Sequence, residues 1–364
     1  MSVPFTKVHR QPAEVPAGRR PVVSVVIPCY NYGHYLPECV RSVVDQPDVQ
    51  TEVLIIDDAS PDGSGSVARQ LALQHRNVRA VVHEQNRGHI ATYNEGLPQM
   101  TGDYLVLLSA DDLLAPGALG RATALLEAHP TVGMAYGNPQ TFFDVPPEAA
   151  TEVRSWSVWQ GHDWVRRQFR RGMSIVYSPE AVVRTSVHHQ VGWYKPELPH
   201  SGDLELWLRI AAVADIGRVN GPDQAYRREH PGSMMHTQYG TVLIDLRTRD
   251  EAYAEFLDTA GSSLPDATRL RELSHRRMAD EALDWACLLL SGADRDGAAD
   301  AEIADCVAFA REIYPGYAGL RSWQEYRLLT SGGGLLAAVG RPAHRVRRDL
   351  KGRLRWQRWH RMGL

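Results

Sequence analysis

Short apolar runs alternate with amphipathic segments over roughly the first 130 residues of the chain. Four mostly aliphatic runs predict strands that are buried on both faces, at residues 22–27, 52–57, 78–83 and 103–108. Between these runs, apolar residues recur at helical spacing, as they do at Leu36, Cys39, Val40, Val43 and Val44. Strands that alternate with helices predict right-handed crossovers. The fold class we expect is therefore α/β, with a mainly parallel, twisted, Rossmann-like sheet flanked by helices.

The alternation weakens beyond Gly133. Residues 134–138 and 173–178 predict two further strands, and residues 203–212 predict a helix. From about Thr241 the apolar residues recur only at helical spacing, which predicts a helical C-terminal region. Three helices there are marked by Leu243, Leu246, Tyr253 and Phe256, by Ala282, Trp285, Ala286 and Leu289, and by Ile303, Cys306, Val307 and Ala310.

Composition is that of an ordinary globular protein. Hydrophobic residues make up 43% of the 364 positions and charged residues 23%, which excludes a wholly disordered chain. We expect no secretory signal, and no apolar run approaches the ~20 residues of a membrane-spanning helix. The cysteines, Cys29, Cys39, Cys287 and Cys306, lack metal-ligand spacing, so we expect reduced thiols and a cytoplasmic location.

The chain divides into four predicted regions. Residues 1–20 lack periodicity and predict a flexible leader, whereas 21–238 predict an α/β domain and 239–330 a helical domain. Residues 331–364 predict a glycine hinge followed by a basic amphipathic tail. The last 24 residues, 341–364, carry a formal charge of +8, so the rest of the chain carries −11.

The basic tail indicates contact with an anionic surface. Its arginines are interleaved with Leu354, Trp356 and Trp359, which favours peripheral binding at the inner face of a membrane. The alternative is a solvated or packed terminal helix. Because the rest of the chain is acidic and contains no recognition module, we expect no nucleic-acid binding.

Polar residues follow each of the first four predicted strands. Two adjacent carboxylates, Asp111 and Asp112, follow the fourth strand, and the carboxyl ends of parallel strands lie along one ligand-binding edge. Adjacent carboxylates repel each other, and a hard divalent cation with oxygen ligands relieves that repulsion. The alternative is that Asp112 caps the next helix and Asp111 is solvated.

Four segments, in this order and spacing, resemble family 2 glycosyltransferases: VSVVIPCYNYGHYL, EVLIIDDASPDGS, NRGHIATYNEGL and LLSADDLLAP. The resemblance covers roughly residues 22–235 and implies the GT-A fold of nucleotide-diphosphosugar transferases. It also implies that Pro28, Tyr30 and Asn31 cradle the donor nucleotide.

The resemblance assigns the nucleotide base to Asp58. A carboxylate that accepts from a base N–H suits uracil or thymine, so the expected donor is a UDP-sugar or a dTDP-sugar. Arg87, with Gly88 beside it, is expected to contact the nucleotide. The alternatives are a turn or capping role for Asp58 and a surface salt bridge for Arg87.

The resemblance also implies a divalent ion, Mg²⁺ or Mn²⁺, at the acidic pair. The family's metal motif is usually Asp-x-Asp-Asp, and Ser109 replaces its first Asp, which implies a weaker metal site. Asp111 is the expected metal ligand beside the donor diphosphate, with Asp112 as its neighbour. The family's Tyr-Arg…His segment adds His230, with His236 as the alternative and a purely structural histidine as the other interpretation.

The expected general base is Asp203. The family usually carries an Asp four residues before a Trp, as Asp203 precedes Trp207, although Gly202 replaces the Glu that often comes before it. Helix capping is the structural alternative for Asp203. Glu205 is the second candidate for the base, but its spacing also suits an ion pair with Arg209.

The resemblance therefore implies an inverting transfer of sugar from a nucleotide diphosphate to an acceptor hydroxyl. The acceptor, a glycan, a lipid-linked or a small-molecule hydroxyl, is left open. Trp156, Trp159 and Trp164 could stack on sugars or lie in the core. The alternative from another class is a non-catalytic nucleotide-sugar-binding relative or partner subunit. The first strand is followed by no G-x-G-x-x-G, which excludes a dinucleotide-dependent oxidoreductase.

Overall fold

Two structural units are present in the computed structural model, which describes residues 7–10 (backbone only), 20–234, 241–262, 264–291 and 297–331. Unit 1 contains the described residues up to 165 together with residues 175–233. Unit 2 contains residues 166–174 and the described residues from Met234 onward. The predicted boundary between residues 238 and 239, the predicted hinge beyond Ser331 and the basic tail all lie outside the described residues.

Unit 1 is built from a sheet and the helices that connect its strands. The strands are β1 (Lys7–Arg10), β2 (Val22–Cys29), β3 (Gln50–Asp57), β4 (Val78–Val82), β5 (Tyr104–Leu107), β6 (Leu113–Leu114), β7 (Val132–Phe142), β8 (Ser155–Trp159), β9 (Val182–Arg184) and β10 (Asp215–Arg228). The helices are α1 (Leu36–Val44), α2 (Ser64–Gln74), α3 (His89–Gly96), α4 (Ala118–Ala128), α5 (Gly161–Arg171), α6 (Thr185–Val191) and α7 (Gly202–Val213). Helix α5 belongs to unit 1 through Val165 and to unit 2 from Arg166 onward.

The sheet is mixed, with the strand order β1-β8-β10-β7-β9-β5-β2-β3-β4, and β6 pairs with β10. The four strands predicted first, β2 to β5, pair in parallel, as β7 and β10 also do. The remaining pairings are antiparallel. The α/β fold class is confirmed, and parallel order dominates in the half of the sheet where helices alternate with strands.

Two local predictions differ from the structure. Residues 173–178 form no strand, because the backbone N–H of Tyr177 donates to the Glu180 side chain at 2.7 Å instead of to a neighbouring strand. Residues 7–10 were predicted to lie in a flexible leader, yet they form β1, which pairs antiparallel with β8. Backbone hydrogen bonds to a sheet edge need no apolar pattern, so periodicity gave no indication of this strand.

The core of unit 1 lies between the sheet and the connecting helices. Leu36, Cys39, Val40 and Val43 of α1 are fully buried there, as predicted. Trp156, Trp159 and Trp164 are also buried, with no more than 3% of each residue exposed. These three tryptophans are therefore core residues and offer no ring face to a sugar.

Unit 2 is helical, as predicted. Its helices are α8 (Val242–Asp258), α9 (Ala267–Leu290), α10 (Gly297–Ile313) and α11 (Arg321–Ser331). The Tyr253 hydroxyl of α8 donates to the backbone oxygen of Gln168 at 2.9 Å, which ties the end of α5 to this unit. Among the described residues, no helix is long and apolar enough to cross a membrane.

We predict that Gly161→Ala destabilises unit 1. A Cβ at Gly161, the first residue of α5, would overlap the backbone oxygens of Ala211 and Ala214 at the end of α7. Backbone cannot move aside as a side chain can, so the expected cost is about 1–3 kcal/mol. Chemical denaturation measures it. Gly319→Ala is the control, because its new methyl group meets no atom within 4 Å. Equal stability of the two variants would contradict this packing.

Candidate functional site

The loops that follow β2, β3 and β4 meet at one edge of the sheet. The backbone N–H of Asn31, after β2, donates to Ser60 Oγ, after β3, at 2.9 Å. The Asn86 side chain, after β4, donates to the backbone oxygen of Asp58 at 3.1 Å. The structure thus brings together three of the segments that the sequence placed at the strand ends.

The loop after β2 has an unusual backbone. Asn31 adopts a left-handed conformation with φ of 62°, which Asn tolerates better than most residues, and its side-chain Oδ1 is buried without a partner among the described residues. Gly33 packs tightly, since a Cβ there would lie 2.8 Å from the Ser64 Cα. Tyr30 is about half exposed, with 47% of its surface accessible, whereas Pro28 pairs with Ile56 inside the sheet.

Asp58 is held firmly by the loop after β4. Its Oδ1 accepts from the backbone N–H of Arg87 at 2.8 Å and lies 2.7 Å from His83 Nδ1. Its Oδ2 accepts from the backbone N–H of Gly88 at 2.8 Å. A carboxylate has about four acceptor positions, so these contacts leave Asp58 about one for a ligand. Asp58 therefore shapes the loop that carries Arg87 and Gly88.

The Arg87 side chain forms the predicted alternative, a surface ion pair. Its Nη1 lies 2.8 Å from Glu95 Oε2, and more than half of the Arg87 side chain is exposed. Glu95 Oε2 also lies 3.2 Å from His83 Nε2, so a chain of contacts links Arg87 to Asp58. An exposed pair of this kind contributes about 0–1 kcal/mol, so a ligand can displace it at low cost.

The acidic pair lies between β5 and β6. Asp111 Oδ2 is 3.1 Å from His230 Nε2, which joins two residues that the sequence assigned to a metal. Asp112 is buried, and its Oδ1 accepts from the backbone N–H of Arg228 at 2.9 Å. Burial and the neighbouring charge of Asp111 raise the pKa of Asp112 well above its usual range. Asp112 does not cap α4, whose N-cap residue is Gly117.

Arg228 holds the acidic pair in place, a role that the sequence analysis missed. Besides its backbone bond to Asp112, its Nε donates to the backbone oxygen of Asp111 at 3.0 Å. Its Nη2 lies 2.6 Å from Glu38 Oε2. The guanidinium lies 4.4 Å from the ring centroids of both Tyr35 and Phe142. In the sequence, this role of Arg228 was indicated only by its place after Arg227 in a Tyr-Arg-Arg run.

His230 packs against the aromatic residues that follow β2. Its ring centroid is 5.3 Å from that of Tyr32, edge to face, and 5.6 Å from that of Tyr35. The Tyr32 hydroxyl also donates to the backbone oxygen of Gly232 at 3.2 Å. The segment after β10 therefore lies across the loop predicted to cradle the nucleotide. The alternative histidine, His236, lies outside the described residues.

Asp203 is in the first turn of α7. Ser178 Oγ donates to Asp203 Oδ2 at 2.8 Å. Burial raises the pKa of the Asp203 carboxyl, and hydrogen bonding by Ser178 and Tyr194 acts in the opposite direction. The N-cap position of α7 is Ser201, so Asp203 does not fill the capping role that was its alternative.

Glu205, the second candidate for the base, has a structural role. It is fully buried, and Arg209 Nε lies 2.8 Å from both of its carboxylate oxygens. Lys195 Nζ is 3.2 Å from Oε1. Arg209 also donates to the backbone oxygens of Val191 and Trp193, so Glu205 anchors a loop. A carboxylate that is buried and paired with two cations is a poor proton acceptor.

Glu180 is a buried carboxyl two residues after Ser178. Burial raises the pKa of Glu180 well above the usual range, and the charges of Asp112 and Asp203 contribute further to the rise. Glu180 could not be identified from the sequence, because it stands in a segment without periodicity.

Asp111 and His230 suit a divalent ion that completes its coordination with a substrate. Among the described residues there is no group of three or more His, Cys, Asp and Glu side chains that could hold a metal ion. Mg²⁺ and Mn²⁺ are commonly held by one or two protein side chains together with phosphate oxygens. The donor set of one carboxylate and one imidazole fits that arrangement.

Comparison with known proteins bears on the family and the fold. Residues 24–191 match the family model described as glycosyl transferase family 2. An uncharacterized glycosyltransferase of Nostoc sp. is 29% identical over 247 residues, which cover 64% of this chain and 72% of the relative. The glycosyltransferase GlyG of Streptococcus pneumoniae is 36% identical over 94 residues, 26% of this chain and 31% of GlyG.

A solved structure shows the same fold. The mannosyltransferase PcManGT from Pyrobaculum calidifontis, in complex with GDP-Man and Mn²⁺, matches with a TM-score of 0.54 and 20% sequence identity. The match covers 93% of this chain and 90% of PcManGT. The family 2 glycosyltransferase model thus covers the strands and loops from β2 to α6 that build the site, and the structural match shows the fold, which is GT-A.

Proposed function

We propose that the protein transfers a sugar from a UDP-sugar or dTDP-sugar to an acceptor hydroxyl with inversion at the anomeric carbon. One observation carries the proposal: a short chain of contacts joins the acidic pair to Asp203. Arg228 binds Asp111 and Asp112, its neighbour Arg227 lies 5.0 Å from the ring centroid of Tyr177, and Ser178, which follows Tyr177, donates to Asp203. This chain supports a candidate diphosphate site and a candidate base in one site.

The donor nucleotide is assigned to the loops after β2, β3 and β4. The half-exposed Tyr30, the left-handed Asn31 and Pro28 are assigned to one side of the nucleotide. The remaining acceptor position of Asp58 suits the N3–H of uracil or thymine. Arg87 can leave its exposed pair with Glu95 to reach the nucleotide.

The diphosphate is assigned to Asp111 and His230, which would hold a Mg²⁺ or Mn²⁺ ion together with phosphate oxygens. Such an ion, when bound, stabilises negative charge on the leaving diphosphate. Arg227 adds positive charge nearby, since it opposes the rise in the pKa of Asp112. Its guanidinium lies 5.0 Å from the ring centroid of the partly exposed Tyr177.

Asp203 is assigned as the general base. It takes the proton from the acceptor hydroxyl as that oxygen attacks the anomeric carbon opposite the diphosphate, which inverts the configuration. Because burial raises the pKa of Asp203, its carboxylate is a stronger base than an exposed one. A non-catalytic nucleotide-sugar-binding relative is the second candidate, favoured by Ser109 in place of an acidic residue.

The acceptor is proposed to be the hydroxyl of a glycan, of a lipid-linked compound or of a small molecule, and the protein is proposed to act in the cytoplasm.

Contact with the inner face of a membrane is proposed for the basic tail, residues 341–364. Removal of these residues should abolish co-sedimentation with vesicles that contain anionic lipid. Co-sedimentation equal to that of the full chain would reject the membrane role of the tail.

We predict that Asp203→Asn retains nucleotide binding but loses catalysis by about 10²–10⁴-fold, the usual contribution of a general base. Hydrolysis of a panel of UDP- and dTDP-sugars, with water as the acceptor, measures the rate, and calorimetry measures UDP and dTDP binding. Asp305→Asn, at an exposed position of α10, is the matched control. A parallel loss of binding and rate, or an unchanged rate, would contradict the role of Asp203, whereas nucleotide binding without donor hydrolysis by the wild-type protein would favour the non-catalytic alternative.

We predict that Asp111→Ala removes most of the Mn²⁺ dependence of nucleotide binding. The variant leaves His230 alone at the ion, and His230 cannot replace a carboxylate for a hard cation. The measurement is UDP and dTDP affinity with and without Mn²⁺, which should differ in the wild-type protein and converge in the variant. Asp305→Ala should behave like the wild type. A Mn²⁺ effect of full size in Asp111→Ala would place the ion elsewhere.

A further inference from the structure

A short turn from Tyr177 to Ala181 places one hydroxyl against Asp203. The turn lies between α5 and β9 and begins where the strand predicted at residues 173–178 would end. The backbone N–H of Ala181 donates to the backbone oxygen of Ser178 at 3.1 Å. The backbone N–H of Tyr177 donates to Glu180 Oε1 at 2.7 Å. The Glu180 side chain therefore folds back on its own turn and closes it.

Burial of the Glu180 side chain, which closes this turn, costs free energy. Glu180 is 1% exposed, and its second oxygen, Oε2, has no hydrogen-bond partner in the part of the chain that the structure describes. Burial raises the pKa of the Glu180 carboxyl well above its usual range, which favours the uncharged form near Asp203. A turn maintained at such a cost points to a role for what the turn presents.

The turn presents Ser178. Its Oγ donates to Asp203 Oδ2 at 2.8 Å, and this bond is made across the site, between residues 25 apart in the chain. A hydroxyl donor on one carboxylate oxygen fixes the rotation of the group and so sets the direction of the other oxygen. It also stabilises the ionised form of Asp203.

The other groups that act on Asp203 come from three directions. His89 of α3 and His200, just before α7, each favour the ionised carboxylate by their charge. Tyr194 reaches it from the segment before α7 and also favours ionisation. Glu180, whose pKa is raised by burial, lies in the turn that carries Ser178. Ser178 contacts Asp203 directly, with 2.8 Å between Ser178 Oγ and Asp203 Oδ2.

We propose that Ser178 is a positioning residue for Asp203, and that the turn closed by Glu180 serves to aim its hydroxyl. The inference rests on the proposed function, because it requires Asp203 to be the base. In catalysis Ser178 keeps its own proton; the proton of the acceptor passes to Asp203, and the bond from the anomeric carbon to the diphosphate breaks as the bond to the acceptor oxygen forms.

The test compares Ser178→Ala with Ser178→Thr, which retains a hydroxyl. With ¹³C-labelled aspartate, NMR follows the titration of the Asp203 carboxyl, which Asp203→Asn identifies by loss of its signal. Removal of a hydrogen bond to the ionised form should raise the pKa of Asp203 by about one unit. Ser178→Thr should restore the wild-type value, and Ser66→Ala, at an exposed serine of α2, is the control.

The same shift should appear in the rate. Asp203 acts as a base only when ionised. A raised pKa of Asp203 therefore moves the acid limb of the pH–rate profile for donor hydrolysis to higher pH. Below both pKa values the Ser178→Ala rate should fall about tenfold, with the donor KM unchanged. Glu180→Ala, which opens the turn, should move the limb in the same direction. The proposal would be overturned if the acid limb of the pH–rate profile and the titration of the Asp203 carboxyl stayed at the wild-type pH in both Ser178→Ala and Glu180→Ala.

Failure of this inference can be told apart from failure of the proposed function. If Asp203→Asn abolishes hydrolysis while Ser178→Ala keeps the wild-type pH profile, Asp203 is the base and Ser178 does not position it. If Asp203→Asn hydrolyses donor at the wild-type rate, the proposed function itself is wrong. The NMR titration is independent of donor identity, so it decides the Ser178 contact in either case.

Discussion

The site depends on how the fold tolerates two adjacent carboxylates in a buried place. Asp111 and Asp112 repel each other, and burial alone would make a doubly ionised pair prohibitively costly. The chain relieves this in two ways: the pKa of Asp112 is raised, and Arg228 binds the pair through its backbone N–H and its guanidinium. Because Arg228 ends β10 and also pairs with Glu38 of α1, one side chain ties the acidic loop to two distant segments.

That arrangement separates the roles of the acidic residues. Asp112 is turned inward and is held by Arg228, whereas Asp111 faces His230 and can share an ion with a diphosphate. The same division recurs at α7, where Glu205 pairs with Arg209 and Lys195 while Asp203 accepts a hydrogen bond from the Ser178 hydroxyl. In each case the carboxylate with a structural role is distinct from the one assigned to chemistry.

The sequence predicted the strands β2 to β5 and the core stripe of α1 because buried aliphatic runs and helical spacing are local signals. It also placed Asp58 and Asp111 at strand ends, whereas Asp203 was expected from the resemblance to family 2 glycosyltransferases. It could not predict β1, which depends on edge pairing, or Arg228 and Glu180, whose roles arise from contacts between residues far apart in the chain. The strand predicted at residues 173–178 was wrong because a side chain, Glu180, took the backbone N–H that a strand would have paired.

The central claim is that the loops after β2 to β5 bind a nucleotide diphosphate. Hydrogen–deuterium exchange of the full chain with Mn²⁺ and UDP, dTDP or GDP tests it most directly. With UDP or dTDP, exchange should slow in residues 29–33, 57–60, 86–89 and 109–112 and stay unchanged in α8 to α11. Protection confined to the helices of unit 2, or no protection with any nucleotide, would contradict it.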